Sequence, residues 1–144
     1  MSGEIAWSVK SSFRAYVAGV SDGTEISSDD VTVDAAGRYR FPLVSTGDDV
    51  LKATGWVRLS AYRGVLDVRI AEPWIEYRSG GGVVTIAHPR SERNPALPRM
   101  VLAEFGTDSV IRPELTFDGV RLLGEVYTVG AELDPIEVIH APGA

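Results

Sequence analysis

The chain has no cysteine, two histidines and two lysines in 144 residues. Without cysteine there can be no disulfide, thiolate metal site, iron–sulfur cluster or cysteine nucleophile. The two histidines, His88 and His140, lie far apart, each close to a proline, and a histidine-rich zinc site is not expected from them. No Gly-x-Ser-x-Gly elbow offers a hydrolase serine. Gly80-Gly81-Gly82 is followed by no Gly-Lys-Ser/Thr, and Val83-Val84-Thr85-Ile86 reads as a strand, so the triplet predicts a hairpin or bulge and not a phosphate loop. No stretch nears the ~20 apolar residues of a membrane span. Met1-Ser2-Gly3-Glu4 runs into an amphipathic segment, from which a soluble, cytoplasmic protein without a secretory leader is expected. A net charge of -6 argues against a nucleic-acid partner, which needs a basic surface to displace counterions.

What remains is mainly β-pattern. Arg38-Tyr39-Arg40-Phe41, Trp56-Val57-Arg58-Leu59-Ser60 and Leu66-Asp67-Val68-Arg69-Ile70 alternate polar and apolar with period two, as strands with one wet face do. Turn signals at Ser21-Asp22-Gly23, Ala36-Gly37, Arg63-Gly64 and Asp118-Gly119 divide the strands. Thr116-Phe117-Asp118-Gly119-Val120-Arg121 predicts a hairpin, because Asp-Gly takes the positive φ of a type I′ turn. The segment from Pro89 to Pro98 predicts a loop that could flank a site.

One helix interrupts this pattern. Val9, Phe13, Tyr16, Val17 and Val20 recur at helical spacing, with Ser8 where an N-cap would stand and Gly19 at the stop, which predicts a helix from Ser8 to Ala18. The expectation is a single domain over residues 1–144, mainly β: an antiparallel β-sandwich or partly open barrel with one short N-terminal α-helix. Asp29-Asp30 and Asp48-Asp49 read as solvated turns. Tyr16, on the apolar face of the helix, is either core or ligand, and an exposed sheet edge could support a homodimer.

Three segments narrow the choice. Trp7-Ser8-Val9-Lys10-Ser11-Ser12-Phe13-Arg14-Ala15-Tyr16-Val17 resembles the opening signature of the HtaA domain, the heme-binding module of actinobacterial heme-uptake proteins. Gly55 to Pro73 resembles the family's central strand pair, which carries a Gly-His-x-Gly tetrad. Gly124-Glu125-Val126-Tyr127-Thr128-Val129-Gly130-Ala131-Glu132-Leu133-Asp134-Pro135 is similar to its closing Tyr-x-x-Gly-x-x-Leu-Asp-Pro.

The resemblance implies ferric heme held in an apolar groove by the phenolate of Tyr16, a hard oxygen donor suited to Fe(III). At the family's histidine this chain has Tyr62, within Ala61-Tyr62-Arg63-Gly64. Tyr62 could donate a hydrogen bond to the Tyr16 phenolate or displace it as ligand, and Arg63 could favour the ionised form. Ser12 and Arg14 are candidates for contact with the heme propionates. Trp7, Phe13, Trp56, Leu66 and Trp74 read as core. The reading is a heme-binding protein for intracellular carriage or sensing. Two alternatives stay open: a cytoplasmic enzyme on the same fold acting without heme on a small apolar ligand, and a heme-dependent enzyme.

Overall fold

A computed structural model describes residues 3–140. Along the chain lie β1 (Glu4–Trp7), α1 (Ser11–Ala18), β2 (Thr24–Ser27), β3 (Thr32–Val33), β4 (Tyr39–Thr46), β5 (Val50–Ala53) and β6 (Trp56–Ala61). After these come β7 (Leu66–Ala71), β8 (Trp74–Arg78), β9 (Gly81–Ile86), β10 (Met100–Phe105), β11 (Glu114–Leu115), α2 (Phe117–Leu122) and β12 (Glu137–Ile139). The large sheet runs β11-β10-β9-β8-β5-β4-β1-β12, with β3 added beside β4, and a second sheet runs β2-β6-β7. All pairings are antiparallel. The fold is mainly antiparallel β, and the large sheet curls as a half-barrel.

Side-chain alternation decides how the small sheet sits. Val57, Leu59 and Ala61 of β6 and Leu66, Val68 and Ile70 of β7 point inward and are buried, while Arg58, Ser60, Asp67 and Arg69 take the outer face. The last four residues of β9, Val83 to Ile86, are all buried, as expected of a strand covered on both faces. One buried cluster joins both sheets and α1 through Trp7, Phe13, Phe41, Leu59 and Ile75. Trp7, Phe13 and Leu66 are buried as expected, whereas Trp56 and Trp74 are only partly covered.

The glycine triplet lies at the β8–β9 hairpin, where Arg78 pairs with Gly81. A Cβ at Gly81 would collide with the carbonyl oxygen of Phe105 on the next strand, so close backbone approach demands glycine there. The Pro89–Pro98 segment forms turns between β9 and β10.

The expected hairpin at Asp118-Gly119 is instead the helix α2. Thr116 caps it, its Oγ1 accepting from the Gly119 N–H at 3.1 Å, and Asp118 sits in the first turn where the helix dipole favours it. Gly119 presses against β10, where any Cβ would collide with the Leu102 carbonyl. The glycine serves helix–strand packing and not a turn.

Asp34, at the β3–β4 turn, ties three strands together. Its carboxylate accepts from Arg38 Nε at 3.0 Å and Arg40 Nε at 2.8 Å. Those arginines reach Glu137 beside β1 and Glu4 on it, at 2.6 and 2.9 Å. The Arg40 guanidinium above all, then the Arg38 N–H, holds the Asp34 carboxyl well below the usual carboxylate range. A depressed folded pKa gives stability that is complete above the unfolded value of about 3.9 and is lost as pH falls through the folded one. The melting temperature of the protein should therefore drop on acidification below about pH 4, and Asp34→Asn should start lower and lose less. Melting curves from neutral to strongly acid pH test this, and equal slopes for the two proteins would refute it.

Candidate functional site

The helix bearing Tyr16 begins later than expected. After β1 the backbone turns through Val9 in the left-handed region, φ 63°, a costly conformation for a β-branched residue. Ser8 is buried instead of capping, and the helix runs Ser11–Ala18 with Gly19 closing it. The cap comes from the far end of the chain. The Asp134 carboxylate accepts from the Ser11 N–H at 3.0 Å and from Ser11 Oγ, the Asp134 N–H donates to Val9 O at 2.9 Å, and Trp7 Nε1 donates to Asp134 O at 2.8 Å. Asp134→Ala should cost about 1 kcal/mol, the ordinary worth of a helix cap, measurable as a lower urea midpoint; an unchanged midpoint would count against the cap.

Beyond β6, Tyr62, Arg63 and Gly64 have φ of 54°, 56° and 86°. Two non-glycine residues in this region are strained, and Asp22, in the turn after α1, holds them. Its carboxylate accepts from the Tyr62 N–H at 3.0 Å and the Arg63 N–H at 2.7 Å. These bonds, Arg63 first, lower the Asp22 pKa.

The same tie sets Tyr62 against the helix. The Tyr16 and Tyr62 hydroxyl oxygens are 2.9 Å apart, with ring centroids at 6.4 Å and planes tilted by 56°. The hydrogen bond with Tyr16 is the main cause of a raised Tyr62 pKa. Tyr16 is 40% exposed and Tyr62 48%: the pair faces outward from the edge of the buried stripe of α1.

Phe13 lies beneath, its centroid 6.4 Å from that of Tyr16 and 6.3 Å from that of Tyr127. Tyr127 was not singled out from the sequence as a site residue. Its hydroxyl is 2.8 Å from Ser12 Oγ, one turn before Tyr16, which makes two hydroxyl pairs along one helix face. Val65, next to the Tyr62 turn, and Val126 and Val129, beside Tyr127, are exposed. A Cβ at Gly124 would crowd Leu66 Cδ1, so the two loops pack together. Of the remaining candidates, Arg63 follows Tyr62 on the exposed turn. Arg14 is engaged elsewhere: it pairs with Glu25 at 2.9 Å, donates to Gly37 O at 2.5 Å and stacks on Tyr39 at 4.1 Å.

His88 accepts from the Arg90 N–H in the Pro89–Pro98 loop, and His140 is exposed after β12. No group of three or more His, Cys, Asp or Glu side chains with metal-binding geometry occurs among the described residues. A cleft of about 770 Å³, lined by residues including Arg38, Tyr77, Phe105 and Ile136, holds none of the candidate residues. No helix among the described residues is long and apolar enough to cross a membrane.

A half-barrel of antiparallel strands with a terminally clamped helix that presents a tyrosine pair at its surface defines a small antiparallel β-domain. The HtaA (Htaa) family model matches residues 2–139, and the chain belongs to that family. Solved structures share the fold. The C-terminal domain of HtaA from Corynebacterium glutamicum is 20% identical with a TM-score of 0.76, covering 94% of this chain and 93% of that one. The N-terminal domain of the same HtaA is 18% identical, TM-score 0.75, covering 98% of each chain. Heme binding protein HtaB from C. glutamicum is 19% identical, TM-score 0.71, covering 96% of this chain and 91% of its own. No curated protein sequence matches.

Proposed function

We propose that this chain binds ferric heme on the face of α1, with the Tyr16 phenolate as axial ligand and Tyr62 as its hydrogen-bond donor, for heme carriage or sensing. The observation that carries the reading is the 2.9 Å hydroxyl pair on two half-exposed rings, with exposed Val65 and Val126 close in sequence to Tyr62 and Tyr127. The residues fit the group: a hard oxygen donor for Fe(III), a second hydroxyl to hold it, and apolar side chains for the macrocycle. That the related HtaB is a heme binding protein supports the same reading.

An ordinary phenol has a pKa of about 10, so Tyr16 needs help to act as a phenolate at neutral pH. Bound ferric iron would supply most of that help, as metal ions do for other coordinated acids. Tyr62 would supply the rest, its hydroxyl standing 2.9 Å from the Tyr16 oxygen and able to donate to it. This is the work an imidazole does at the corresponding place in the family pattern. Arg63, on the same turn, is the cation available to a propionate carboxylate. Ser12, hydrogen-bonded to Tyr127, fixes the aromatic wall on the other side. Arg14, engaged with Glu25, has no part in the proposal.

Titration of the purified protein with hemin tests the reading. One saturable equivalent with the visible spectrum of a ferric phenolate is expected, and no saturable binding at micromolar protein would overturn it. The cytoplasmic location expected from the sequence belongs to the same proposal, and fractionation of the producing cells checks it.

A further inference from the structure

The outer face of the small sheet carries a second chemistry. Arg58 on β6 and Arg69 on β7 are register partners, so two like charges stand directly opposite one another, which is unfavourable unless an anion lies between them. Glu92, from the Pro89–Pro98 loop, occupies that place. One of its oxygens lies 3.8 Å from Arg58 Nη1 and the other 3.9 Å from Arg69 Nε, close enough for ion pairing and too far for a hydrogen bond.

Arg58 is otherwise satisfied by Asp67, in two bonds of 2.8 and 2.7 Å. Arg69 is not, since its Nη1 is sealed from solvent and donates to nothing. A buried guanidinium nitrogen without an acceptor is rare in folded proteins. The loop brings still more positive charge. Two clefts share His88 and Glu92: one of about 660 Å³ is walled by Arg58, Arg90 and Arg93, the other of about 320 Å³ by Arg69 and Arg99. Five arginines thus face Asp67, Glu72 and Glu92 in a chain whose net charge is -6. Arg99 is a fixed wall, stacked on Trp74 at 3.8 Å and donating to Thr85 O at 3.0 Å.

We propose that this face is a binding site for a small molecule carrying a phosphate or carboxylate group, and that Glu92 is an internal stand-in which such an oxyanion displaces. The forked guanidinium matches both groups. Glu92 is half-exposed and holds neither arginine by a hydrogen bond, so it can swing out and give the incoming oxygens the bonds that it does not make itself. Arg58 and Arg69, opposite one another on the sheet, supply the guanidinium groups on either side of Glu92, and Arg93 lines the cleft on the Arg58 side.

Calorimetric titration of the whole chain with inorganic phosphate and with citrate, at ionic strength matched with sodium chloride, tests the proposal. Saturable binding of at least one ion is expected, and which ion saturates names the group recognised. Glu92→Gln should bind about fivefold or more tightly because the internal competitor is gone, while Arg69→Gln and Arg93→Gln should each bind about tenfold more weakly, the usual worth of a charged hydrogen bond. If Arg69→Gln does not fold, the opposite signs of Glu92→Gln and Arg93→Gln carry the test. No saturable heat in either the natural protein or Glu92→Gln overturns the proposal, as does binding that none of the substitutions changes.

Discussion

Tyr16→Phe is expected to weaken hemin binding by more than about 100-fold and to abolish the phenolate–iron absorption, because it removes the proposed iron ligand, where even outer-shell partners are worth roughly 10–100-fold. The substitution deletes one oxygen and leaves the ring where it packs, 6.4 Å from the centroids of Phe13 and Tyr62. Tyr16 is also 40% exposed, so folding should be little affected and the loss can be read as ligation. Tyr62→Phe should behave differently, losing about tenfold in affinity while keeping the phenolate spectrum. If instead the spectrum survives Tyr16→Phe and vanishes in Tyr62→Phe, the ligand is Tyr62; if both variants bind as the natural protein does, tyrosine ligation is wrong.

Phe13→Ala should destabilise the protein by about 3–5 kcal/mol, the range for truncating a buried aromatic side chain. Phe13 is 1% exposed and lies at the centre of the α1 interface, so the cavity cannot close without moving the helix. Set against a total stability of about 5–15 kcal/mol, that loss is large. It should also disturb the proposed ligand face, because Tyr16 and Tyr127 rest on the same ring. Urea unfolding reads the stability, and a fall in midpoint at unchanged slope marks a native-state effect. Hemin titration below the transition reads the second effect. A loss under about 1 kcal/mol would mean that α1 is held mainly by its cap and not by this side chain.

Strands were legible in the sequence wherever one face is wet. Arg58 and Arg69 alternate with Val57, Leu59, Val68 and Ile70, and that alternation places β6 and β7 closely. The start of α1 was not legible, because local rules point to Ser8 while Asp134, remote in sequence, supplies the cap. Asp118-Gly119 misled for a related reason. The pair favours a turn taken alone, but Thr116 caps a helix there and Gly119 is required by contact with β10. For the site, family resemblance pointed to Tyr16 and Tyr62, and the fold brings them together. Tyr127 and Asp22 were missed because each acts through a partner distant along the chain, Ser12 and the Tyr62 turn. Arg14 was read from its place on the helix, and nothing local announced Glu25 on β2.

Because β1 pairs with β12, Glu4 opposite Ile139, and Asp134 caps the helix that starts at Ser11, the first and last segments of the chain complete each other. Contacts of such high sequence separation form slowly, since nearly the whole chain must be closed into a loop before they are rewarded. The tyrosine-bearing helix has no cap until the Asp134 segment has been made and has folded back onto it. A chain cut short before Leu133 would carry Tyr16, Tyr62 and Tyr127 without the Asp134 cap that orders the start of α1.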